Sequence, residues 1–218
     1  MKNTIRVFSA FYDEPLSGDK YRLYMSQLPE REQKKIKAFR RWEDATASLI
    51  GKALLIKGLS AIGYQQFKLN DLQYSSYNRP FLACGIDFNI AHSGSYVVCA
   101  IAGDCRVGID IEKIQKQDLD PFNYTLNPAE LESLLASATP YELFYHTWTK
   151  KEAVAKADGR GLGLDLDRID TTAGTVVLDG MVWYTQRVDI SADYAVNVAF
   201  NNSLSIVKHT IEGIQFYI

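Results

Sequence analysis

VGIDIEKI, residues 107 to 114, sets two carboxylates, Asp110 and Glu112, inside what otherwise reads as a buried strand. In a strand, residues two apart point to the same face, so Asp110 and Glu112 project together while Ile109 and Ile111 fill the opposite side. One face is core, and the other presents a pair of closely spaced acids. Like charges that close raise each other's pKa unless a cation sits between them. Oxygen pairs of this kind suit magnesium, which usually takes one or two carboxylates together with substrate phosphates and water. The competing reading of these residues is a solvated strand face paired with Lys113 or Arg106.

Working outward, the apolar run YVVCAIA (96 to 102) passes through Gly103-Asp104 into RVGIDIEKI, which predicts a tight hairpin. Before it come a strand over 4 to 11, a helical pattern from about Pro29 to Leu59, and short strands near 67 to 74, 80 to 83, 86 to 92 and 95 to 103, broken by YNRP, HSGS and AGDC. After the strand at 106 to 114, helices are expected near Asn127-Pro128 and from about Tyr141 to Ala157. Strands are expected near 167 to 170, 175 to 178, 181 to 190, 193 to 200 and 204 to 211. Element order alone thus suggests an α+β chain of two similar halves, 1 to 105 and 106 to 218, joined near 103 to 106.

Composition narrows the function classes. Hydrophobic residues at 47% and charged residues at 23% are globular values, and the apolar runs are too short to cross a bilayer. The start, MKNTIRVFSAFYDEP, has no long apolar stretch followed by a small-residue cleavage site, so a cytoplasmic protein is expected. A net charge of -2 argues against general nucleic-acid binding. Cys84, Cys99 and Cys105 lack a CxxC pair and read as buried free thiols. His92, His146 and His209 lie far apart and make no close metal pair.

Three further stretches hold candidate chemistry. In WTKKEAVAKADGRGLGL (148 to 164), Trp148, Glu152 and Lys156 fall on one helical face, either as an exposed ion pair with Trp148 packed at a domain seam or as part of a site. The glycines at 159, 161 and 163 follow the helix and lack phosphate-loop spacing, so they read as a helix stop. In FNIAHSGSYVVCAI (88 to 101), His92, Ser93 and Gly94 form a corner that could receive a phosphate, and Arg79, in NRPFL, could hold a phosphate or face water. REQKKIKAFRR (31 to 41) has six basic residues in eleven, the place where an anion is most readily met.

Taken in order, NRPFL (78 to 82), FNIAHSG (88 to 94), VGIDIEKI (107 to 114) and FYHTWTKKEAVAKADGRGL (144 to 162) resemble the 4'-phosphopantetheinyl transferases, specifically the larger two-halved type that activates peptide synthetase carrier domains. The resemblance implies a pseudo-dimeric fold, each half a small mostly antiparallel sheet on a long helix, with the active site at the seam. The implied reaction moves the phosphopantetheine arm of coenzyme A to a serine of an acyl or peptidyl carrier protein. Carried over residue by residue, it gives Asp110, Glu112 and Glu152 to magnesium, Lys156 to phosphate oxygens, and His92 and Arg79 to the nucleotide phosphates, with Ser93 in the same corner. Glu152 takes the role of base, with Glu130 the competing candidate. Two departures stand out: Ala91 replaces a frequent serine, and Ala47 replaces an arginine for the 3'-phosphate, a place that Arg40, Arg41 or Lys52 could fill. A site within one chain implies a monomer, and residues 115 to 135 are the expected carrier contact. A non-catalytic coenzyme A or carrier-binding module and a magnesium-dependent phosphohydrolase are the alternatives; the first would be expected to lose an acidic ligand or the lysine.

Overall fold

The computed structural model describes residues 3 to 203 and 205 to 210. In chain order the elements are β1 (Thr4–Phe11), α1 (Gly18–Ser26), α2 (Glu30–Lys37), α3 (Trp42–Ala61), β2 (Gln73–Tyr74), β3 (Pro80–Phe81), β4 (Asp87–Ser93), β5 (Tyr96–Ala102), β6 (Val107–Lys113), α4 (Pro128–Leu135), α5 (Pro140–Asp158), β7 (Thr175–Leu178), β8 (Met181–Arg187), β9 (Tyr194–Phe200) and β10 (Ile206–Thr210). Two four-stranded sheets result, ordered β10-β1-β5-β4 and β6-β9-β8-β7, with β2 and β3 as a separate ribbon.

The layers follow from which faces are apolar. Along β5, Val97, Cys99 and Ile101 pack with Ile50, Leu54 and Leu55 of α3, while Val98, Ala100 and Ala102 meet Ile109, Ile111 and Val198 of the second sheet. A strand covered on both faces needs a continuous apolar run, and YVVCAIA supplies it. On the far side of the second sheet, Val154 and Ala157 of α5 pack with Trp183 and Ala199. The order is helix, sheet, sheet, helix, an α+β architecture with one long helix for each sheet.

The chain departs from the expected elements where packing overrides local pattern. β5 already pairs with β1 on one edge and β4 on the other, so β6 cannot close a hairpin onto it and crosses to pair with β9. The single helix expected from Pro29 to Leu59 divides at residues 38 to 41, because Ile36 packs on Met25, Leu28 and Leu49 whereas Ala47, Ile50 and Leu54 face the sheet. Helix α1 carries no expectation from the sequence. The strand expected near 167 to 170 is a 3-10 turn over Leu166–Arg168, and within 67 to 74 only Gln73–Tyr74 is strand, after another 3-10 turn over Leu69–Asp71. β10, expected in the second half, pairs parallel with β1 of the first sheet. Residues 204 and 211 of that expected strand, and 212 to 218 of the expected second half, lie outside the described residues. Trp148 packs against Phe122 and Phe144 inside the second half and not at the join. Of the free cysteines, Cys99 is buried, Cys105 is half-buried and Cys84 is exposed, since its loop lies outside the apolar strands.

Gly108 decides how close α5 comes to β6. A Cβ there would lie 2.1 Å from the Ala153 carbonyl oxygen and 2.5 Å from the Ala157 nitrogen, both backbone atoms that cannot turn aside. Gly108→Ala is expected to cost about 3 kcal/mol or more, the upper end of overpacking. Urea unfolding of the purified variant measures it.

Candidate active site at the join of the two sheets

Gly108, Asp110 and Glu112 share the face of β6 that α5 covers, so the absence of a side chain at Gly108 brings the helix down onto the acids. On α5, Glu152 and Lys156 lie one turn apart on one face. The helix ends at Gly159 in the left-handed conformation, φ 88°, which places Lys156 in its last turn, where a cation is favoured by the helix dipole.

Lys156 Nζ donates to Asp110 Oδ1, whose side chain is 5% exposed while the lysine remains 32% exposed. Among the described residues, Asp110 Oδ2 is buried with no hydrogen-bond partner. Glu112 accepts a 2.8 Å hydrogen bond from Ser93 Oγ. Burial raises the pKa of Asp110 against the pull of Lys156. Glu152 is raised first by burial and then by the charge of Asp110. Glu112 is raised by burial, and then by Asp110 and Glu152, against the Ser93 hydrogen bond and Lys156. Burial opposes the charge on Lys156, but Asp110, Glu152 and Glu112 outweigh it and raise its pKa. One ammonium thus answers three carboxylates.

Two cavities flank this cluster. Glu152 and Lys156 line one of 580 Å³ together with Tyr124, Leu164 and Leu166. His92 and Arg41 line the other, of 360 Å³, beside Tyr12 and Asp44. Burial lowers the pKa of His92, Asp44 and Asp110 oppose that shift, and Lys156 reinforces it. Arg41 is open to solvent near Glu43, whereas Lys52 is half-buried and held by Glu32 at 3.1 Å. Ala47 lies in the core beneath α3. A third concavity, 1040 Å³, sits at the other end of β6 around Arg79, Asp87, Arg106 and Arg160, and none of the three acids or Lys156 lines it.

The structure therefore brings Asp110, Glu112, Glu152, Lys156 and Ser93 together, sets His92 and Arg41 around a neighbouring cavity, and puts Arg79 elsewhere. The Arg79 guanidinium forks onto both oxygens of Asp87 at 2.8 Å and donates to the carbonyl oxygens of Lys156 and Val107, each at 3.0 Å. The two bonds to carbonyl oxygens reach across to the second half, and Arg79 also lines the 1040 Å³ concavity. Glu130, the competing base, is buried and accepts from the Asn127 and Thr171 N–H groups, the Thr171 hydroxyl and Lys151. Lys151, fully buried, also donates to the carbonyl oxygens of Leu166 and Ile169 at 3.0 and 2.6 Å. This network fastens the loop that walls the larger flanking cavity.

Asp87 and Asn89 are the residues that the sequence reading passed over. Each places a side-chain oxygen on a backbone N–H of β6, Asp87 on Val107 at 2.9 Å and Asn89 on Ile109 at 3.0 Å. The signal was the alternation in DFNIAHS, where polar residues at 87, 89 and 93 sit opposite apolar ones at 88 and 90.

Family models match both halves of the chain. The family model described as the 4'-phosphopantetheinyl transferase superfamily matches residues 106 to 199, and that for 4'-phosphopantetheinyl transferase, N-terminal, matches residues 14 to 104. The 4'-phosphopantetheinyl transferase Sfp of Bacillus subtilis (strain 168) is 33% identical over 171 residues, covering 75% of this chain and 74% of its own. The 4'-phosphopantetheinyl transferase gsp of Aneurinibacillus migulanus is 33% identical over 57% of this chain and 53% of its own. The L-aminoadipate-semialdehyde dehydrogenase-phosphopantetheinyl transferase of Homo sapiens is 26% identical over 83% of this chain and 64% of its own. The chain belongs to the 4'-phosphopantetheinyl transferase family and is an enzyme of that class.

Two stability outcomes follow. Lys151→Met strands the buried Glu130 charge and is expected to cost about 3 to 5 kcal/mol in denaturant unfolding. Glu152→Gln removes a crowded charge and is expected to raise Tm by about 2 to 4 °C at neutral pH without added metal. A carboxylate with a raised folded pKa opposes folding only when ionised, so that gain disappears as pH falls through the raised value.

Proposed function

We propose that the chain transfers the 4'-phosphopantetheine arm of coenzyme A to a serine hydroxyl of an acyl or peptidyl carrier protein, releasing adenosine 3',5'-bisphosphate. The observation that carries this reading is buried Asp110 against Lys156, with Glu112 and Glu152 near enough for their charges to act on them. The formation of the cluster within one chain supports a monomer, and coenzyme A and carrier proteins as substrates support a cytoplasmic enzyme.

Among the described residues, no three His, Cys, Asp or Glu side chains already converge as a metal cage. The donor set nevertheless fits a hard divalent cation: Asp110 Oδ2 is buried and unpartnered, and Glu112 and Glu152 add carboxylate oxygens whose raised pKa values a cation would relieve. Asp110, Glu112 and Glu152 would hold magnesium, which when bound neutralises charge on the bridging phosphates. Lys156 supplies a fixed ammonium for the negative charge that grows on the leaving phosphate. Glu152 takes the serine proton as the hydroxyl oxygen forms its bond to phosphorus and the bridging P–O bond breaks toward adenosine bisphosphate. His92 and Arg41 face the nucleotide phosphates from the smaller cavity.

Mass spectrometry of an apo carrier domain incubated with coenzyme A, magnesium and this protein tests the reading. The carrier serine should gain the phosphopantetheine mass; no gain across several carriers would sink the proposal. Asp110→Ala should abolish the gain, and Glu152→Gln should lower kcat by about 10²- to 10⁴-fold. The pH–rate profile should show an acid limb, because the base is lost on protonation, and that limb should be missing in Glu152→Gln.

A further inference from the structure

β4 and β6 lie side by side at the join of the sheets, yet no backbone ladder links them. In its place stands a ladder of side chains. Val107 N–H donates to Asp87 Oδ2 at 2.9 Å, Ile109 N–H to Asn89 Oδ1 at 3.0 Å and Lys113 N–H to Ser93 Oγ at 3.1 Å, each across a separation of 20 residues. The same offset pairs Ala91 with Ile111, where β4 offers no side-chain acceptor.

The N–H groups at 107, 109 and 113 face β4, leaving the backbone of the intervening residues to pair with β9. Ile109 is fully buried, and without Asn89 its N–H would have neither water nor carbonyl to meet. Asn89 is the partner of that N–H, and Asp110 follows Ile109 directly.

We propose that this side-chain ladder fixes β6 at the join and that Asn89 is a positioning residue, acting through the Ile109 backbone to keep Asp110 against Lys156. The proposal rests on the reading of Asp110 and Lys156 as reaction-centre groups only for its kinetic arm. Two variants separate hydrogen bonding from packing: Asn89→Leu keeps the volume and loses the acceptor, and Asn89→Asp keeps an acceptor. Amide hydrogen exchange by mass spectrometry reads the peptide spanning 107 to 113 in the free protein. Exchange there should rise at least tenfold in Asn89→Leu and return to within threefold of the parent in Asn89→Asp. The kinetic arm should show a fall in kcat of at least tenfold in Asn89→Leu, with KM for the carrier within threefold, and recovery in Asn89→Asp.

Ala91→Ser offers the absent fourth acceptor and should slow exchange at Ile111 without a tenfold change in exchange elsewhere. Unchanged exchange over 107 to 113 in folded Asn89→Leu would overturn the ladder, as would a failure of Asn89→Asp to restore protection. Should Asn89→Leu not fold, Ala91→Ser carries the test, and unaltered exchange at Ile111 refutes the proposal. Exchange as expected with kcat unaltered overturns the positioning role while leaving the ladder. If the parent protein transfers nothing, the exchange results still decide the ladder, which keeps the two failures apart.

Discussion

The contact of β6 with α5 is the constraint on which the rest depends. Gly108 lets the helix backbone approach within ordinary packing distance of the strand backbone, and no other residue leaves that space. Once they are that close, the next residue on the same face, Asp110, must lie beside Lys156 one turn from the helix end. The isoleucines on the opposite face are fully buried against the first sheet, so the strand cannot rotate to take its acids back to water. Acid burial here is a consequence of where the strand is pinned.

That burial has an electrostatic cost which the protein leaves partly unmet. Lys156 answers Asp110 directly, and Ser93 gives Glu112 one hydrogen bond, but Glu152 has neither benefit and Asp110 keeps an unpartnered oxygen. A fully satisfied network would be more stable and less able to receive a cation or a phosphate. The contrast is with Glu130, whose two oxygens are occupied by Lys151, Thr171 and the α4 cap, and which holds a loop in place. Two buried acids within the same half thus do opposite things, and the difference is the number of donors around each.

Much of the site was legible in the residues themselves. Period-two alternation put Asp110 and Glu112 on one face, helical spacing put Glu152 and Lys156 on another, and both groupings hold in three dimensions because they depend only on backbone geometry. The Asn127-Pro128 cap began α4, and the glycine after α5 ended that helix, where local chemistry placed them. Arg79 was not legible: a guanidinium beside a proline in a turn reads the same whether it meets a phosphate or, as here, Asp87 and two carbonyl oxygens from the other half. The hairpin at Gly103-Asp104 failed for the same reason, since turn chemistry cannot reveal that both edges of β5 are already taken.

The sequence by itself determined the local faces: which side chains share a side of a strand or helix, where helices stop, and that two carboxylates stand within an apolar strand. Tertiary structure decided which faces meet. It joined β6 to β9 rather than β5, returned β10 to the first sheet, and set the side chains of Asp87, Asn89 and Ser93 on the edge of β6. The physical reason is range. Backbone periodicity acts over a few residues, whereas an unpaired N–H or a buried carboxylate is satisfied by whatever the packed chain brings to it, from 20 residues away in the ladder and 46 in the pair of Asp110 with Lys156.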